Sequence, residues 1–369
     1  MKQRTLPTKI LVLILFLTSC GVSPKNQAIK NDDFPLLEHW KYSFDSPVYK
    51  LAVVEDWVAV GEDDGVTAID VNTGKFMWNL EFPLDTVSEL VFSSGNLIVA
   101  DRNKTQIMAV NKSGKIVSRF NINSTESFQI LAACSNYIFI RRVPSWNVEV
   151  YDAQLGKMVW EILVDRGDVS ISCDSFIDNV YITTSSFISA RKNSTGDEIW
   201  KIDAEARTGT LDSNRFYYYS EASSEENKTL GFISAVDTQG YANIWEAKIP
   251  LGIRTSIYNM TAFNNILVAS TDFGAIAINK EDGHEVWVSE TNEFFYGKPI
   301  LINNVIYIRG TNTKVIYAIN PENGQYLGYL RLGEQSLFGL SQRNNDIVYK
   351  FAELLIFPFE NTVYAYQLK

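Results

Sequence analysis

Cysteine and histidine are scarce in this sequence of 369 residues, which has three of the first and two of the second. No two cysteines are adjacent and no C-x-x-C-H haem-attachment run occurs. His39 directly precedes Trp40 and His284 directly follows a glycine, positions that read as exterior and argue against a histidine-based metal or acid/base site. The acidic runs at 62–64 and 279–282 lack the D-x-D-x-D-G spacing of a calcium loop and read as solvated turns. Positive charge is in deficit, with 33 Lys and Arg against 43 Asp and Glu, which argues against nucleic acid or anionic lipid as a general partner. Long helical periodicity is missing too. The apolar run ILVLILFL at 10–17 is too short to span a bilayer.

That run is nonetheless informative. Lys2, Arg4 and Lys9 precede or flank it, as in the n-region of an export signal. The site Leu17 to Cys20 resembles the lipobox of bacterial lipoproteins, which makes residues 1–19 a signal peptide and Cys20 the lipidated first residue of the mature chain. Residues 20–36 then read as the lipidated cysteine and a flexible polar tether, and 37–369 as the folded part. Loss of 1–19 removes three positive charges and leaves 30 against 43. Cys134 and Cys173 read as two buried apolar side chains, with a disulfide as the alternative in an exported chain.

What the sequence has in abundance is repetition. AIDVNTGKFMW at 68–78 returns as VYDAQLGKMVW, ARKNSTGDEIW, AVDTQGYANIW and AINKEDGHEVW, with weaker copies at 109–120 and 318–328. The glycines of these seven copies, Gly74, Gly114, Gly156, Gly196, Gly240, Gly283 and Gly324, recur about every forty residues, the period of an array of similar units. An eighth copy is split: VYAYQLK at 363–369 matches the start of the phrase, and EHWKYSF at 38–44 supplies Trp40 from the other end of the chain. A ring closed by strands from both termini accounts for this and leaves no open sheet edge between first and last units.

Each unit divides at its turn residues into four short β-branched and aromatic strands. Asp70, Asp152, Asp237, Asn279 and Asn320 stand where a side-chain oxygen caps the turn, and the glycine supplies the positive φ. Ala68, Ala109, Ala190, Ala235, Ala277, Ala318 and Ala365 leave room for a bulky neighbour. The recurring Trp40, Trp78, Trp160, Trp200, Trp245 and Trp287 are that neighbour, each expected to place its N–H on a backbone carbonyl of the adjacent unit. Ser118 and Gly328 replace the indole in two units, whose interfaces are expected to be the weakest.

The Ala-Asp-x-x-x-Gly-x-x-x-Trp pattern resembles the tryptophan docking motif of the PQQ-like β-propeller family, over nearly the whole chain after the export signal. The resemblance implies an all-β, eight-bladed propeller of four-stranded antiparallel blades. It admits both enzymes and scaffolds. Quinoprotein dehydrogenases of this superfamily hold PQQ and calcium against a disulfide of adjacent cysteines, which this chain lacks along with their long insertions, so no cofactor, no metal and no catalytic residue is expected. Arg102, Arg141, Arg142, Arg166, Arg207, Arg254, Arg309 and Arg331 fall at or near the face carrying the second turns and the connections between units, and make up eight of the twelve arginines after residue 19. They form a candidate binding face for acidic groups, unless they pair with nearby acids such as Asp165, Asp168 and Glu205. Aromatic residues at 139–146 and 292–298 share that face, and 221–230 reads as a disordered loop. The architecture is similar to propeller lipoproteins of outer-membrane β-barrel assembly. The expectation is a lipid-anchored extracytoplasmic scaffold, on the periplasmic face of the outer membrane in a diderm cell, that binds a protein or peptide and no nucleic acid. A small-ligand or carbohydrate-binding propeller, or a reduced quinoprotein, is the competing class.

Overall fold

In the computed structural model the described residues are 34–368, apart from 86–87, 102, 104, 123–125, 175–176, 224–228, 240–241, 250–255, 292–293, 311–314 and 332–347. They form 32 strands in eight four-stranded antiparallel sheets. Seven sheets are consecutive meanders: blades 1 to 7 at 50–81, 91–121, 127–163, 170–203, 206–249, 257–290 and 300–331. Blade 8 takes three strands from 349–368 and its outer strand, Leu36–Ser43, from the start of the described chain. The register Leu36↔Leu368 through Trp40↔Ala365 to Ser43↔Thr362 joins the two ends, as the split eighth copy implied. Blade 8 also meets blade 1 directly, where the Tyr349 hydroxyl donates to the Leu51 carbonyl. The eight-bladed ring is therefore closed by strands from both termini.

The sequence dictates the blades through alternation. Second and third strands carry β-branched and aromatic residues buried on both sides, because each blade packs between two others, whereas first strands are only partly buried, as at Ser170–Cys173; Val58, Val60, Ile69 and Val71 of blade 1 are fully buried against Trp40 and Ile356 of blade 8. Outer strands read differently. Met158–Leu163 buries Trp160 and exposes Met158, Val159, Glu161 and Leu163, the pattern of an edge that faces solvent and carries charge.

The repeated phrase forms the third strand, the turn and the outer strand. In seven blades the small residue lies opposite the indole position across the ladder: Ala68↔Trp78, Ala109↔Ser118, Ala190↔Trp200, Ala235↔Trp245, Ala277↔Trp287, Ala318↔Gly328 and Trp40↔Ala365. In blade 3 the partner is Val150. The turn is capped as expected: the Asp70 carboxylate accepts from the Thr73 amide at 2.8 Å and the Thr73 hydroxyl at 2.7 Å, and Asp152 accepts from the Gln154 and Leu155 amides, each at 2.8 Å.

The turn glycine has a second role beyond its positive φ. A Cβ on Gly74, Gly114, Gly196, Gly283 or Gly324 would lie 2.6–2.8 Å from Trp40, Trp78, Trp160, Trp245 or Trp287 of the preceding blade. The indole lies flat on the glycine. Its N–H then reaches the carbonyl one residue beyond the turn-opening residue: Trp40 to Val71 at 2.9 Å, Trp78 to Lys112 and Trp160 to Asn193 at 2.7 Å, Trp245 to Lys280 and Trp287 to Pro321 at 2.8 Å. Trp200 is buried at the next interface, whose Gly240 lies outside the described residues.

The two units without an indole differ. Beside Gly328 of blade 7, the neighbouring blade 8 joins its third and outer strands through no turn, and Phe34 packs there, 5.9 Å from the Tyr307 ring of blade 7 and 6.3 Å from the Tyr366 ring of blade 8. Phe34 and Leu36 are each 3% exposed, so the propeller takes in residues expected from the sequence to belong to the tether. At Ser118 of blade 2 the substitute is Phe120, whose Cβ lies 2.5 Å from a Cβ placed on Gly156 and whose ring stacks on Tyr151.

Two further expectations are corrected. Cys134 and Cys173 are paired in a disulfide, with Cα atoms 5.7 Å apart, joining the first strands of blades 3 and 4. Their spacing of 39 residues, one repeat period, puts them at matching positions of neighbouring inner strands, which is why they meet. The segment 221–230 is not loop throughout: Arg215–Ser223 pairs with Thr229–Asp237 out to Ser223↔Thr229, so the second hairpin of blade 5 projects beyond those of the other blades.

Candidate binding face

The face that carries the second turns and the blade connections collects the six candidate arginines at described positions, but they do not form one layer of guanidinium groups. Arg142 is 4% exposed and bonded internally: its Nε donates to Glu149 at 2.9 Å and its guanidinium rests on the Phe128 ring. Burial disfavours its charge, but the Glu149 carboxylate and the Tyr151 hydroxyl outweigh that and hold it above its ordinary value. Tyr151 is pushed up to about 12 by burial and by Glu149. Arg309, 3% exposed, donates to the Pro358 carbonyl at 2.9 Å and ties blade 7 to blade 8. Both are structural ties within the ring. Sequence position alone could not separate them from their neighbours, because adjacent residues of a strand point to opposite faces.

Arg141 points the other way from Arg142. Its guanidinium lies 4.6 Å from the centre of the Trp146 ring and donates to the Gly167 carbonyl in the connection to blade 4. Burial pulls its pKa down and Asp168 partly restores it. Its Nε and the Trp146 Nε1 are buried donors with no acceptor among the described residues. Arg207 pairs with Glu221 at 2.9 Å at the base of the projecting hairpin, rather than with Glu205. Arg166 and Arg331 are exposed and form no ion pair among the described residues, Arg331 lying 5.9 Å from the Tyr329 ring. Arg102 and Arg254 lie outside the described residues.

Between blades 6 and 7 the same face carries an aromatic cluster. The Tyr258 and Tyr296 rings are 3.9 Å apart, Phe294 is 6.2 Å from Tyr296, and Phe273 is 5.9 Å from Phe294. Tyr296 is 36% exposed and Phe273 and Phe294 are partly exposed, whereas Phe295, between them in sequence, is fully buried. The Tyr258 hydroxyl donates to Asp272, which also accepts from the Ser256 amide at 3.1 Å, and burial with that carboxylate drives the phenol far above its ordinary value. Lys298, an exposed residue, follows the cluster. Of the two aromatic stretches expected on this face, 292–298 does present rings to solvent, while 139–146 buries Phe139 and covers Trp146 with Arg141. The arrangement offers cations and aromatic planes on one face.

A search of curated proteins finds no match to the sequence. Among solved structures the chain is similar to BamB from Moraxella catarrhalis, with 12% identity and a TM-score of 0.68 over 90% of this chain and 100% of that one. It is similar to the computationally designed Ika8 protein at 14% identity and a TM-score of 0.67, over 88% of this chain and 98% of that one. The quinohemoprotein alcohol dehydrogenase ADHIIG from Pseudomonas putida HK5 matches at 11% identity and a TM-score of 0.64, over 90% of this chain and 76% of that one. These likenesses share the propeller fold. A model of the family "Outer membrane protein assembly factor BamB" matches residues 37–230 and 229–369, so the chain belongs to that family.

Proposed function

We propose that this protein is a lipid-anchored scaffold of the bacterial envelope that binds a protein partner in outer-membrane protein assembly and catalyses no reaction. The observation that carries the reading is the family match along the whole propeller, joined to a connection face that presents Arg166, Arg331 and the Phe273–Phe294–Tyr296 cluster. Exposed aromatic rings and unpaired guanidinium groups on one face suit a protein interface, where aromatic residues and Arg are enriched. Lipidation at Cys20 and the tether after it would hold this face near the membrane.

Two observations weigh against the quinoprotein alternative. The disulfide joins first strands of two blades and not adjacent residues, and among the described residues no three His, Cys, Asp or Glu side chains converge as a cation site.

The experiment is crosslinking of the full-length lipoprotein in its membrane, followed by mass spectrometry, with Arg166→Glu/Arg331→Glu and Phe294→Ala/Tyr296→Ala as parallel variants. A discrete envelope protein captured by the native chain and lost from both variants is the expected result. Capture of no discrete protein, with binding of PQQ in solution instead, would transfer the assignment to the competing class.

A further inference from the structure

The outer strand of blade 3, Met158–Leu163, departs from a rule that the other outer strands keep. The residue three beyond the tryptophan position is Leu163 here and is charged or polar in the other seven blades, among them Glu81, Asp203, Lys248, Glu290 and Arg331. The residue before the turn glycine is Leu155 here, where the six other blades with that turn have Thr73, Ser113, Thr195, Gln239, Asp282 and Asn323. Leu163 and Leu155 are 70% and 68% exposed, the two most exposed large apolar side chains among the described residues. Met158 and Val159, between them, are 51% and 38% exposed. Neither leucine serves packing inside its own ring.

An open sheet edge pairs with another strand unless charge, proline or a covering element prevents it. The charges on this edge select a partner instead. Lys157 is exposed and forms no ion pair among the described residues, and Glu161, also exposed, accepts a hydrogen bond from Asn147 at 3.1 Å. Lys157 and Glu161 stand two residues either side of Val159, and Leu155 and Leu163 stand four either side. The segment is therefore complementary to itself when reversed: an antiparallel copy centred on Val159 brings Lys157 opposite Glu161 twice and sets each Leu163 at the level of the turn that carries the other Leu155. Blade 2, centred in the same way on Val117, opposes Lys115 to Arg119, two like charges. Blade 4 has the charge pattern, Asp197 with Lys201, but Thr195 and Asp203 in place of the leucines.

We propose that the outer strand of blade 3 pairs antiparallel with the same strand of a second copy of this chain, about a two-fold axis at Val159, joining two propellers rim to rim. The ladder runs from Lys157 to Glu161 in each copy, and the blade 3 turn of the second copy covers Leu163. The strand lies on the rim of the ring, and the inference does not rest on the function proposed for the connection face.

The test places a cysteine at the axis. Opposed residues of antiparallel strands have Cα atoms about 4.5–5.5 Å apart, within reach of a disulfide. Full-length Val159→Cys protein, oxidised in whole cells with copper phenanthroline, should therefore run as a covalent dimer on non-reducing electrophoresis, its composition read by mass spectrometry. Val117→Cys, at the same position of blade 2, should give no dimer above background. Glu161→Lys added to Val159→Cys sets like charges opposite one another and should slow dimer formation roughly three- to tenfold. Adding Lys157→Glu to that variant restores the opposite charges and should restore the rate. All the altered side chains are exposed, and circular dichroism checks that each variant is folded. No dimer from Val159→Cys beyond the Val117→Cys level, a rate indifferent to Glu161→Lys, no recovery on double reversal, or capture of a different protein from position 159 in place of a second copy would overturn the proposal.

Discussion

The turn glycines show how a single residue serves two blades at once. Gly196 has φ of +75° and its Cα faces the Trp160 ring, so Gly196→Ala adds both a left-handed alanine and a clash at 2.6 Å. Gly95 has nearly the same φ, +73°, with nothing within 4 Å of the added atom. Thermal or urea denaturation is expected to show a loss of about 1 kcal/mol for Gly95→Ala and about 2–5 kcal/mol for Gly196→Ala, because overpacking adds to the strain. Equal losses would mean that the indole contact adds nothing. Trp160→Ala, which empties the same interface, should cost about 3–5 kcal/mol. Asp70 adds a pH dependence. The bond from the Thr73 hydroxyl, with amide bonds from the same turn, holds its carboxyl below the ordinary value, so the folded chain binds this proton less tightly than the unfolded one. Its stabilisation is complete above the ordinary carboxylate range and is lost as pH falls through the lowered value. Melting curves of the native chain and Asp70→Asn should therefore differ at neutral pH and converge in acid.

At the scale of elements, the strands and turns were legible because the phrase carries its own punctuation: a capping Asp or Asn, a glycine and a tryptophan at fixed offsets. The glycine's contact with the indole was not, since it joins residues of different blades about 35 positions apart. The disulfide was hidden for a related reason. Cys134 and Cys173 are one period apart, but only the first strands' packing side by side brings their Cα atoms to 5.7 Å. Closing a loop of that length should stabilise the fold by about 4 kcal/mol in the chain-entropy account. Reduction with a thiol, or Cys134→Ser with Cys173→Ser, should lower stability by up to that amount without changing the far-ultraviolet circular dichroism of the native state. The candidate face was read in part. Sequence placed the arginines near the connections, but strand alternation sent Arg142 into the core against Glu149, and the blade packing clamped Arg309 onto Pro358.

The whole molecule depends on closure. Blade 8 is built from both ends of the described chain, and Phe34 packs beside Gly328 of blade 7, where blade 8 joins its third and outer strands through no turn. Phe34→Ala should destabilise the ring by about 3 kcal/mol or more through the cavity it leaves, and a chain lacking residues 34–43 should lose cooperative unfolding altogether, both readable by calorimetry. The closed ring presents two unlike faces, one carrying the indole-capped turns and one carrying exposed cations and aromatic rings. The measurement that tests the central claim most directly is in-membrane crosslinking of the full-length protein through a photoreactive residue placed at position 331 on the second face and, separately, at position 113 on the first. The account predicts a discrete envelope protein captured from position 331 and lost when Phe294 and Tyr296 become alanine; capture of that protein from position 113 alone would contradict it.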